Sequence, residues 1–122
     1  MASDDPLLAA IDAIERAEGA VSQALSEAVE ALGPARRDRA KGTSLPDIVE
    51  RNLSSEGQEK RQRAATAIAD YEHAVMIFRA TIIRELRDEH GLTYTEIARR
   101  LKISRQMATR LYRSEGPSGT EK

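Results

Sequence analysis

Apolar residues recur along this chain at intervals of three and four, and no stretch alternates apolar and polar residues long enough to predict a strand. From Pro6, a natural first-turn residue, the pattern runs to Leu32 and stops at Gly33-Pro34. Its apolar positions are Leu7, Ile11, Ile14, Val21, Leu25, Ala28 and Leu32, with Glu18 in the one missing place. That is a heptad seam about 40 Å long at 1.5 Å per residue. Alanines 10, 13, 17, 24 and 28 widen the apolar face. Such a helix either packs within its own domain or forms a seam between two copies. We read a homodimer, with Leu7, Ile11, Ile14, Val21, Leu25 and Leu32 at the interface.

Residues 33–56 read as a linker. Arg36, Arg37, Arg39 and Lys41 form a basic run expected in a solvated loop, Gly42-Thr43 a turn, and Ser44-Leu45-Pro46-Asp47 the cap of a short helix ending near Leu53. A second long helix is predicted from near Glu56 to His90-Gly91, with Ala64, Ile68, Tyr71, Val75, Phe78, Ile82 and Leu86 along one face. Gly91 suits the left-handed position after a helix end, and His90 a helix C-terminus.

Residues 93–113 predict two short helices joined by a tight turn. Thr93 and Glu96 have capping-box spacing, and Ile97, Ala98 and Leu101 form an apolar face. Ser104 is placed to cap the next helix, whose inward side is Ala108 and Leu111, while Ile103 plugs the turn. Ile82, Ile83 and Leu86 would supply the facing core. The segment carries six basic residues, Arg99, Arg100, Lys102, Arg105, Arg110 and Arg113, against one acidic residue.

This stretch resembles the helix-turn-helix DNA-binding motif, most closely in the wording of sigma-factor region 4 and of the C-terminal domains of serine recombinases. The family's apolar positions correspond to Ile97, Leu101, Ile103, Ala108 and Leu111, and its small position to Ala98. The usual turn glycine is replaced by Lys102, at a cost of ~1 kcal/mol where positive φ is required. The resemblance covers the last third of the chain. It implies that the second helix lies in the major groove of double-stranded DNA. Arg105, Gln106, Thr109 and Arg110 would then read bases, and Thr95, Arg99, Lys102, Ser104 and Arg113 would hold phosphates. Met107 is read as a partly buried packing residue.

The expected fold is therefore all-α: two long helices followed by a C-terminal tri-helical unit without a β-wing. Residues 1–56 would be the dimerisation region with its linker and short helix, 57–114 the DNA-binding domain, and 115–122 a disordered tail. Residues 1–5 are expected to fray.

Net charge is −1, but it is unevenly placed. Residues 1–34 hold seven acidic residues and one basic residue, and this acidic helix is expected to turn away from phosphate. The aromatic residues are Tyr71, Phe78, Tyr94 and Tyr112, so the core must be aliphatic and alanine-rich. No cysteine is present, which removes disulfide and thiolate-metal chemistry. The start of the chain lacks a basic-then-apolar leader, and no stretch reaches the ~20 apolar residues of a membrane span. These features predict a cytoplasmic, nucleoid-associated protein that does not engage membranes.

His73 with Asp70 is an isolated pair, and both histidines read as structural. No glycine-rich phosphate loop or nucleophile elbow appears. No cofactor, metal or catalytic residue is expected, and recombinase or promoter-melting activity would need domains not seen here. Two function classes stand. One is a dimeric sequence-specific DNA binder: a small transcriptional regulator, or a plasmid or phage factor for partition or transfer. The other is a helical adaptor that contacts protein, for example RNA polymerase.

Overall fold

The computed structural model describes residues 5–53 and 55–114. Every regular element among them is a helix: α1 (Pro6–Glu30), α2 (Gly33–Ala40), α3 (Leu45–Asn52), α4 (Ser55–Asp88), α5 (Tyr94–Leu101) and α6 (Arg105–Arg113). Residues 1–4 and the 115–122 tail, read from sequence as frayed and disordered, lie outside the described residues. Asp5 departs from that reading. Its carboxylate accepts the Leu7 amide at 2.8 Å, and its carbonyl accepts the Ala9 amide at 3.0 Å, so it caps α1. No helix among the described residues is long and apolar enough to cross a membrane.

The chain forms two compact units, Arg16–Tyr71 and Met1–Glu15 with Glu72–Lys122, so each long helix contributes to both. The sequence reading instead divides the chain in linear order at residue 56.

In the first unit, Ala28, Ile48 and Ala64 are buried. Arg63 reaches Glu27 at 3.7 Å, linking α4 to α1. The expected loop at 33–41 is corrected here. Arg36, Arg37 and Arg39 lie in α2, and Lys41 follows as its C-cap. The reason is Pro34: its preset φ suits a first helical turn, so the Gly-Pro pair that ends one helix begins another. Asp38 then joins α2 to α3, because its carboxylate accepts the Asn52 side-chain amide at 2.8 Å. Its carbonyl accepts the Thr43 amide at 3.0 Å.

The second unit has a core of Ala80, Ile83, Ile97, Ala98, Ala108 and Leu111 from α4, α5 and α6. Leu86, Leu92, Tyr94, Leu101, Ile103, Met107 and Tyr112 pack around it. Ile83 and Ile97 are its largest fully buried side chains. Full burial of such a side chain contributes ~1.5–3 kcal/mol. Along α4 the stripe expected from sequence is displaced: Ala64, Ala74, Ala80 and Ile83 are buried, while Ile68 is exposed and Ile82 half-buried. Three of these four buried positions are alanines.

On α1 the buried positions are Ala10 and Ala28. Leu7, Ile11, Ile14 and Val21 are half-buried, whereas Leu25 and Leu32 are exposed. Gly91 ends α4 at φ 69°, and the Leu92 amide donates to the Leu86 carbonyl at 3.1 Å. The chain thereby reverses into α5 within a few residues.

Candidate nucleic-acid interface

Local hydrogen bonds set the start of each short helix. The Thr93 hydroxyl accepts the Glu96 amide at 3.1 Å, and the Thr93 amide donates to the Glu96 carboxylate at 2.8 Å. This reciprocal pair forms the capping box. The Thr93 amide is the chief cause, ahead of its hydroxyl, holding the Glu96 carboxyl below the ordinary value. Slight desolvation opposes the shift, and Arg100 and Arg99 add weaker attraction. At α6 the Ser104 hydroxyl accepts the Met107 amide at 2.9 Å. Ser104 is thus the cap that its place in the sequence predicts.

Lys102 turns the chain between the helices in the left-handed region, at φ 60° and ψ 44°. Its amide donates to the Ala98 carbonyl, as does that of Ile103 at 3.0 Å. Ile103 then packs against the core, which is the plug expected of it. With Ala98, Ala108 and Leu111 buried, the opposite side of α6 faces outward. Arg105, Gln106, Arg110 and Arg113 are exposed there, and Thr109 is half-buried. Thr109 donates its hydroxyl proton to the Arg105 carbonyl at 3.0 Å, so it presents a methyl group and lone pairs. Met107 is half-buried, and its sulfur lies 3.2 Å from an Arg110 guanidinium nitrogen.

These side chains share one groove of about 630 Å³, lined by Arg105, Gln106, Thr109, Arg110 and Arg113 with Leu111 and Met76. Met76 comes from α4, is 39% exposed, and was not foreseen as part of this face. Only its place one turn before the buried Ala80 hints at it in the sequence. Thr95, Arg99, Arg100 and Lys102 are also exposed, on α5 and the turn. Among the described residues none of the six cations of 93–113 forms an ion pair with a carboxylate.

A second set of contacts ties α6 to the end of α4. The Tyr112 hydroxyl donates to Asp88 at 2.8 Å, and Arg84 Nε donates to the Tyr112 carbonyl at 3.2 Å. The Arg87 guanidinium sits 4.0 Å from the Tyr94 ring centre and 5.8 Å from that of Tyr112. The two rings meet edge to face at 5.8 Å. The hydrogen bond to Asp88 is the first cause raising the Tyr112 phenol above its ordinary value. Sequence reading gave these tyrosines no role and missed the clamp, because its partners lie 24 and 28 residues away.

His73 is exposed, and His90 stands 4.0 Å from Glu85. Among the described residues no group of three or more potential ligands is close enough to hold a metal ion. No protein-family model, curated protein or solved structure matches the chain.

Proposed function

We propose that the protein binds double-stranded DNA sequence-specifically as a homodimer, with α5 and α6 acting as a helix-turn-helix and α6 entering the major groove. Its role is that of a small nucleoid-associated transcriptional regulator, and it performs no catalytic step. The observation that carries this reading is the shared, outward-facing groove in which Arg105, Gln106 and Arg110 stand together on a capped and anchored helix. Arginine offers two parallel donors that match the guanine edge, and glutamine a donor beside an acceptor that matches adenine. Thr95, Arg99, Lys102, Ser104 and Arg113 flank them as phosphate contacts, which position a protein without reading sequence. Thr109 contributes its methyl group to the reading face.

Binding-site selection combined with affinity measurement on variants tests the assignment. Arg105→Ala or Arg110→Ala should cost ~1–3 kcal/mol on the preferred site and relax preference at one position per half-site. Arg113→Ala should weaken all sequences about equally. If both Arg105→Ala and Arg110→Ala leave selection and affinity unchanged, α6 does not read DNA, and the adaptor reading replaces this one.

A further inference from the structure

Where the end of α1 meets α2 and α3, large apolar side chains stand uncovered. Val29 is 65% exposed and Leu45 55%, and Leu32 is exposed beside them. With Leu53 and the buried Ile48 they line a groove of about 770 Å³, a size that encloses several apolar groups. Every lining residue falls between positions 29 and 53, so the groove belongs wholly to the unit Arg16–Tyr71. Its wall is braced from within. The Asp38 carboxylate accepts the Asn52 side-chain amide at 2.8 Å and ties α2 to α3.

The charge on this groove has one sign. Arg36 and Arg39, one turn apart on α2 and both exposed, line it, and no carboxylate does. Glu30 and Asp47, next in sequence to Val29 and Ile48, lie outside the lining. An apolar surface alone would not choose among partners, but two guanidiniums at its rim repel a basic segment and favour an acidic one. An amphipathic helix answers both features, with apolar residues at intervals of three and four and carboxylates on its flank. The same charges disfavour a second copy of this chain in the groove. In a two-fold pairing the patch meets itself, so the arginines of both copies would converge with no lining carboxylate to offset them.

We propose that this groove docks an acidic amphipathic helix of another protein. Apolar residues of that helix seat on Val29, Leu32 and Leu45, and its carboxylates pair with the forked donors of Arg36 and Arg39. The inference goes beyond the DNA reading and does not depend on it, since the cations of α5 and α6 belong to the other unit. Leu32, expected from sequence in a dimer seam, becomes a partner contact.

Selection from a library of random peptides of ~16 residues, long enough for a helix to form on docking, tests it on the full chain. Peptides that bind a Val29→Glu, Leu45→Glu double variant are removed first, which discards those held by the cations of α5 and α6. Both positions are exposed, so the variant should keep its helical far-UV circular dichroism. The remaining peptides should be acidic, with apolar residues at intervals of three and four. In anisotropy titrations Arg36→Glu with Arg39→Glu should weaken an enriched peptide at least ~10-fold. Exchanging that peptide's carboxylates for lysines should restore its binding to the reversed variant, which a merely structural role would not produce. Enrichment of neutral or basic peptides, or of none, overturns the proposal, as does an acidic peptide indifferent to the arginine reversals. A dimer of the unmodified chain that dissociates on Val29→Glu with Leu45→Glu in sedimentation equilibrium also overturns it, and gives the groove to a second copy. Because no DNA is present, failure of the DNA reading is measured separately.

Discussion

At the scale of single residues, Lys102 carries the sharpest conflict between local preference and position. It is the one non-glycine residue with positive φ among the described residues. An L side chain there places Cβ too near the neighbouring carbonyl, costing ~1–2 kcal/mol. Glycine would remove that strain but gain unfolded-state freedom, so Lys102→Gly should raise stability by only ~0.5–1 kcal/mol in urea unfolding. It should also weaken DNA binding uniformly across sequences, since a phosphate-holding cation is lost. No stability gain would mean that the turn avoids the left-handed region in solution. The need for positive φ was legible in the sequence from the motif's spacing. The role of Met76 was not, because residue 76 meets α6 only through folding.

At the scale of elements, α5 and α6 are each about two turns long, too short to persist as isolated helices. Their caps and their burial against α4 are what hold them. Glu96 titrates within this scheme. Its carboxyl is held below the ordinary value, so its contribution is complete above the unfolded-state value and fades as pH falls through the lowered one. Acid should therefore loosen the start of α5, and Glu96→Gln should flatten the acid limb of the stability profile. Amide exchange at residues 94–97, followed as pH is lowered, would check this. Equal acid sensitivity in both proteins would assign the transition to other carboxylates. The boundaries of α4, α5 and α6 follow from local signals at Ser104, Thr93 and Gly91. The α2 helix did not, because Gly33-Pro34 and an arginine run read equally well as an exposed loop.

At the scale of the whole molecule, charge is segregated along the chain while the total stays near zero. The seven acids of residues 1–34 contrast with the six cations of residues 93–113. Under the proposed function, attraction to DNA comes from one face, and affinity should fall steeply with salt, with a logarithmic slope of about −0.9 per phosphate neutralised. Titrating salt from low to physiological ionic strength measures that slope. A slope near zero would mean that these cations do not meet phosphate. Removing α1 would be a poor probe of dimerisation, because Ala10 and Ala28 are buried within their own units.

By itself the sequence determined the helical class, the two long helices, the capped short pair and its inward residues. Each depends on the order of nearby side chains, within the reach of a helical turn or a cap. Tertiary structure alone decided which side of each long helix is buried. On α1 and α4 the buried positions are mostly alanines, Ala10, Ala28, Ala64, Ala74 and Ala80, while the larger Leu8, Leu25, Val29, Ile68 and Met76 are exposed. It also decided that Arg84, Arg87 and Asp88 clamp Tyr94 and Tyr112, and that Leu25, Val29, Leu32, Leu45 and Val49 remain outside. Periodicity marks a residue as apolar, but only the packing of distant segments determines whether another helix covers it.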